Sequence, residues 1–148
     1  MIMNGKLLLQ AAPIKDMLKT KERAHGVSYG LTEAGYDIRI KQHIRLGDGT
    51  RFALASAVEE FDMPKHLVGI VHDKSTWARR GLSVFNTVIE PNWKGFLTLE
   101  LVYHGAGFLD IPAGAGIAQV LFHELHELAA YEGKYQNQED RPVEARHE

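Results

Sequence analysis

Apolar residues along the chain come in short runs, each bounded by turn-forming residues. Leu67-Val68-Gly69-Ile70-Val71 and Phe96-Leu97-Thr98-Leu99-Glu100-Leu101-Val102 are two such β-prone runs. Tyr36-Asp37-Ile38-Arg39-Ile40 alternates cleanly, the two-residue period of a strand with one buried face. Leu46-Gly47-Asp48-Gly49-Thr50 reads as a turn leading into Arg51-Phe52-Ala53-Leu54-Ala55. Pro64, Pro91 and Pro112 fall between runs, where a missing N–H costs least. One stretch differs. Leu7, Leu8, Ile14, Met17 and Leu18 recur at mixed three and four spacing, with lysines crowding the later half. Pro13 divides that stretch, which predicts a strand or turn and then a helix over about 13–23 with proline in its first turn. Many short strands with little helix predict a mainly β domain, a sandwich or barrel.

Composition narrows this picture. At 148 residues, 45% hydrophobic and 24% charged, the chain is expected to form one globular domain over residues 1–148. No repeat, low-complexity tract or linker interrupts it, and the charged, proline-containing stretch over about 139–148 is expected as a mobile tail. A net charge of −2 argues against a nucleic-acid-coating surface, so any phosphate must meet a few local cations. The absence of cysteine excludes disulfides and thiolate metal sites and fits a reducing cytoplasm. No apolar run reaches a membrane span and no signal peptide is recognisable, so a soluble cytoplasmic protein without a membrane partner is expected.

The chemistry concentrates in Lys74-Ser75-Thr76-Trp77-Ala78-Arg79-Arg80-Gly81, a hydroxyl pair set between cations. That combination suits a polyphosphate, which takes hydrogen bonds on its oxygens and fixed positive charge beside them. Taken alone, Ser75-Thr76 is equally a hydroxyl pair at a turn and Arg79-Arg80 a solvated charge pair. Farther on stand the turn Glu90-Pro91-Asn92-Trp93-Lys94-Gly95 and a single carboxylate, Glu100, between Leu99 and Leu101. Burial there would raise the carboxyl pKa towards neutrality and suit it to moving protons in both directions; exposure would leave an ordinary strand glutamate. His123-Glu124-Leu125-His126-Glu127 does not have metalloprotease spacing. Its two histidines are expected on opposite faces of a strand, so no metal site is expected.

In order along the chain, these segments resemble the dCTP deaminases of the dUTPase-fold superfamily. The family pattern is K/R-S-S/T-x-A-R-x-G, then D/E-P-x-W-x-G, then T/V-L-E, here Lys74–Gly81, Glu90–Gly95 and Thr98-Leu99-Glu100. Ser28-Tyr29-Gly30, Gly35-Tyr36-Asp37-Ile38-Arg39, Gly116-Ile117-Ala118-Gln119 and Gly133-Lys134-Tyr135-Gln136-Asn137-Gln138 extend the likeness. The resemblance implies a distorted jelly roll or β-barrel of the dUTPase type with a short N-terminal helix. It also implies a homotrimer that turns dCTP into dUTP and ammonia, with sites shared between subunits.

Carried over residue by residue, the resemblance makes Glu100 the general base, with Ser75 and Arg79 beside it as catalytic residues. Lys74 and Thr76 fall on the triphosphate path. Trp77, Ala78, Thr98, Leu99 and Gln119 fall at nucleotide-contacting positions. Glu90 falls where related dUTPases hold a water-preparing aspartate, and the longer glutamate points instead to a hydrogen bond with the deoxyribose. Tyr131, Lys134 and Gln138 match a C-terminal lid that closes over the triphosphate. Asn86-Thr87-Val88-Ile89 departs from the usual base-pocket segment, which leaves open which cytosine bases are accepted. Mg²⁺ is implied only as an ion carried on the triphosphate. Zinc is not implied, since zinc deaminases hold their metal on His/Cys/Cys or three Cys ligands. Two alternatives stay open: an enzyme that continues to dUMP or acts as a dUTPase, and a catalytically silent nucleotide-binding regulator.

Overall fold

Turn chemistry divides the chain into short antiparallel strands. The structure, a computed structural model, describes residues 1–147; Glu148, the last residue of the expected tail, lies outside the described residues. In chain order the elements are β1 (Ile2–Met3), α1 (Gly5–Ala11), β2 (Lys21–Ala24), β3 (Val27–Leu31), β4 (Tyr36–Arg39), β5 (Ile44–Leu46) and β6 (Phe52–Asp62). Then come β7 (Leu67–Asp73), α2 (Ser75–Ala78), β8 (Leu82–Val84), β9 (Val88–Ile89), β10 (Lys94–Tyr103), β11 (Leu109–Ile111) and β12 (Gly116–Glu124). A seven-stranded sheet runs β2-β3-β4-β12-β7-β9, with β1 also on β12. The strands β6-β10-β8 make a second sheet and β11-β5 a third. The fold is mainly β, as expected, and its sheets do not close into one barrel. Residues of the two larger sheets share one apolar core, in which Tyr36, Ile38, Phe61, Leu99, Val120 and Phe122 are fully buried. No helix among the described residues is long and apolar enough to cross a membrane.

The N-terminal helix lies elsewhere than expected. It occupies Gly5–Ala11 and ends at Ala12, which takes a left-handed conformation (φ 49°) and donates its N–H to the Leu8 carbonyl. Pro13 follows the helix instead of opening one, and Ile14 bridges to Phe61. Residues 21–24, expected at the helix end, form a strand. His25 and Gly26 both take positive φ (54° and 73°), the two-residue turn whose twist matches paired strands, so Lys21–Ala24 folds back on Val27–Leu31.

Two further differences bear on the site. The Tyr36–Arg39 strand does not present a polar face to water, because Asp37 is 2% exposed and has partners inside. And β12 stops at Glu124, so His126 lies beyond the strand and the two histidines do not share it.

Candidate active site

Glu100 and Thr98 stand two residues apart on β10, so both project from one face, while Leu99 between them goes to the core (1% exposed). On the neighbouring strand β6, Glu100 is opposite Leu54 and Thr98 opposite Ser56, and the register shifts between Phe96 and Thr98. Such a bulge bends a strand and re-aims its side chains. The face opens on a cavity of about 520 Å³ with apolar walls from Phe52, Leu54, Val88, Ile89, Trp93 and Leu97. That volume lies within the range of small-molecule sites, about 300–1,000 Å³. Glu90, Thr87, Tyr131, Tyr135 and Gln138 add polar groups, and no cation lines it among the described residues.

Glu100 Oε2 is buried and has no hydrogen-bond partner, the one such side-chain atom among the described residues. Burial raises its pKa, partly opposed by a backbone hydrogen bond. A buried carboxyl with a free oxygen is costly as a structural element, and at a cavity it is poised for proton transfer.

The turn before β10 fixes another wall. Trp93 donates its N–H to the Glu90 carbonyl at 3.2 Å, and Asn92 takes a left-handed conformation (φ 64°) that asparagine tolerates. The Trp93 ring meets Phe61 at 6.0 Å and its Nε1 donates to the Tyr135 carbonyl at 2.6 Å. The same residue thus ties the core to the C-terminal segment. Residues 139–147, expected as a tail, run back along the cavity, where Val143 is 7% exposed and Val143 and Ala145 join the lining.

A second group of site residues gathers on the large sheet. Lys74 Nζ donates to Asp37 Oδ2 at 2.5 Å and to Ser28 Oγ at 3.0 Å, and Gln119 Nε2 donates to Asp37 Oδ1 at 3.0 Å. Asp37 and Gln119 face each other across β4 and β12, so one buried carboxylate holds both side chains. Ser75, Thr76, Ala78 and Arg79 follow on α2 and its C-terminal end, all exposed, whereas Trp77 is 2% exposed and donates Nε1 to the Gly116 carbonyl at 2.6 Å. Trp77 is therefore a core anchor, with Arg80 packed over its ring.

The structure thus brings together Glu90, Thr98, Glu100, Tyr131 and Gln138 at one cavity. None of Lys74, Ser75, Thr76, Trp77, Ala78, Arg79, Leu99, Gln119 or Lys134 lines it. Lys134 is exposed, with Nζ 5.4 Å from the Tyr135 ring centre. Phe52, Leu54, Tyr135, Val143 and Ala145 line the cavity but are not site candidates in the sequence. For Phe52 and Leu54 the missing information is the register of β6 on β10. For Val143 the signal was a lone aliphatic residue inside a charged stretch.

A family model for dCTP deaminase-like domains matches residues 48–125. The dCTP deaminase of Chlamydia abortus is 35% identical over 76% of this chain and 77% of its own length. The chain belongs to the dCTP deaminase family. The family's enzyme from Roseiflexus castenholzii is also 35% identical, over 84% of this chain and 86% of its own. Among solved structures, the EIAV dUTPase matches with a TM-score of 0.58 at 18% identity, covering 84% of this chain and 93% of that one. The Staphylococcus bacteriophage 80alpha dUTPase matches with a TM-score of 0.57 at 16% identity, over 90% and 95%. These likenesses place this family member in the dUTPase fold, as a distorted jelly roll with open sheets.

Proposed function

We infer that the chain is a dCTP deaminase, hydrolysing dCTP to dUTP and ammonia. The observation that carries the reading is Glu100: a buried carboxyl with a free oxygen, facing a nucleoside-sized cavity at the family's T-L-E position. In the reaction a water oxygen bonds to C4 of the cytosine ring, and the C4–N4 bond breaks as ammonia leaves. Glu100 takes one proton from the water and passes it to N3, then carries the second, from the new C4 hydroxyl, to the departing amine, which leaves C4 as a carbonyl. Burial raises the Glu100 pKa, which favours a group that both takes and returns protons. Glu90 reaches the deoxyribose, while Tyr131, Gln138 and Lys134 belong to the segment that closes over the nucleotide.

We further propose that the site is completed between subunits of a homotrimer. A triphosphate needs cations, and among the described residues of its own chain none lines the Glu100 cavity. Arg79, Ser75 and Thr76 stand exposed on another part of the same chain, available to a neighbour's cavity. Ser75 and Arg79 would then meet the attacking water and the developing charge beside a neighbouring Glu100. Mg²⁺ enters on the triphosphate as part of the substrate. No cluster of three His, Asp or Glu among the described residues offers it a protein seat.

Ammonia release and product analysis with MgdCTP test the reading. Accumulating dUTP with turnover that survives a zinc-specific chelator is expected, because a chain without cysteine cannot build the thiolate zinc sites of other cytosine deaminases. Accumulating dUMP would instead establish the second activity suggested by the dUTPase fold, and recovery only on adding zinc would overturn the mechanism.

A further inference from the structure

The C-terminal segment is fastened at one hydroxyl. Residues 136–138 pair with the start of β10. Asn137 donates its N–H to the Lys94 carbonyl at 2.9 Å, and Phe96 donates to the Gln138 carbonyl at 3.0 Å. The chain then crosses Thr98. Thr98 Oγ1 accepts from Gln138 Nε2 at 3.0 Å and from the Val143 N–H at 3.0 Å. A hydroxyl has two acceptor lone pairs, and here both are taken by the segment. Only its proton is left for anything else, which leaves little room for the nucleotide contact that the family position implies. Thr98, Gln138 and Val143 are 8%, 7% and 7% exposed, so the junction is dry. Val143 lies outside the main core cluster; it is buried over the cavity instead.

We propose that Thr98 is a positioning residue. Its hydroxyl is the clasp that seats residues 138–145 over the cavity, and it acts on the reaction through the water this segment keeps from Glu100. The proposal rests on Glu100 being the proton shuttle. Thr98 and Glu100 share one strand face, so the fastening point and the acid it shields keep a fixed relation. The other titratable groups on the cavity are Glu90, Tyr131 and Tyr135. Neither Leu54 opposite Glu100 nor Phe85, whose N–H donates to the Glu100 carbonyl, carries a charge. Burial is thus the main influence on this carboxyl, and the clasp controls part of that burial.

Two measurements on the full chain test this: amide exchange at Val143 without nucleotide, and kcat/KM for ammonia release over about pH 5–9. Thr98→Val is expected to speed Val143 exchange about tenfold, the loss of one hydrogen bond to a buried acceptor. It should also lower kcat and move the acid limb of the profile down by about half a pH unit or more, because a wetter Glu100 ionises more readily. Thr98→Ser keeps the acceptor and should restore both. Val143→Pro deletes the donor while leaving Thr98 intact; proline has no amide to exchange, so this variant should reproduce the kinetic changes, the lower kcat and the shifted acid limb, even if Thr98→Val fails to fold. The double variant should be no worse than the poorer single one, since Thr98→Val, which also frees Gln138 Nε2, already breaks the bond that Val143→Pro removes. Unchanged exchange, an unmoved acid limb or a silent Val143→Pro would each overturn the clasp. A wild type that releases no ammonia would instead defeat the deaminase reading, and the exchange measurement would still decide whether the hydroxyl holds the segment.

Discussion

At the scale of single residues, the site trades stability for chemistry. Glu100 keeps a buried oxygen without a partner, and burial raises its pKa. A carboxyl whose pKa is raised by folding stabilises the fold while protonated, below its ordinary value. That contribution is lost as pH climbs through the folded pKa, where the ionised form must stay poorly solvated. Glu100→Gln removes the proton acceptor and the charge together. Deamination should fall about 10²–10⁴-fold with dCTP binding largely kept. The variant should also melt higher than wild type at neutral pH, by about 1 kcal/mol or roughly 3 °C, and the gap should close on acidification. Turnover above about a tenth of wild type would remove Glu100 from the mechanism. The sequence marked this residue because charge among Leu99, Leu101 and their neighbours is expensive. It could not mark Asp37, whose burial rests on Lys74, just past the end of β7, and Gln119 on β12. Trp77 shows the converse: at a motif position offered by resemblance as a nucleotide contact, the side chain is buried and donates to the Gly116 carbonyl.

At the scale of elements, backbone approach sets what the turn before β10 tolerates. Gly95 takes φ 136°, and a Cβ there would sit 2.5 Å from the Gln138 backbone nitrogen and 2.8 Å from its carbonyl oxygen. Neither atom belongs to a flexible side chain. Gly95→Ala should therefore destabilise the fold by about 1–3 kcal/mol and lift the C-terminal segment, cutting deamination by about tenfold or more. Gly107→Ala separates strain from approach. Gly107 also has a positive φ (69°) but nothing within 4 Å of the added atom. Its cost should stay near 1–2 kcal/mol with catalysis unchanged. Equal losses of activity in the two variants would refute the close-approach argument. The glycine was visible in the sequence as the end of the Glu90–Gly95 turn, but its partner more than forty residues away was not. The strands of the core were legible from alternation and turn residues. The β2–β3 hairpin was not, because its turn is His25-Gly26 and not one of the Asn-Gly, Asp-Gly or Gly-Gly pairs that mark such a hairpin. Helical spacing ran across Pro13, which favoured the wrong side of the proline.

At the scale of the whole molecule, the acids of the cavity and the cations of the Lys74–Gly81 segment lie on different parts of the chain. The two acids of the cavity, Glu90 and Glu100, face apolar walls, and among the described residues no cation lines it. Arg79 and its hydroxyl neighbours are exposed elsewhere, at the end of α2. A trimer that apposes α2 of one subunit to the cavity of the next would resolve the imbalance. It also makes a prediction that folding alone cannot satisfy. Glu100→Gln and Arg79→Ala should each be inactive as homogeneous assemblies. Mixed by dissociation and reassembly, they should regain activity, because some sites then receive Glu100 from one subunit and Arg79 from another with neither lesion. With random assembly about a quarter of sites are intact, so recovery approaching a fourth of wild-type turnover is expected. A mixture that stays inactive would place both residues in one chain's site. Light scattering at working concentration decides the assembly independently: a particle of 16.6 kDa would leave the cavity without its cations and rule the shared site out.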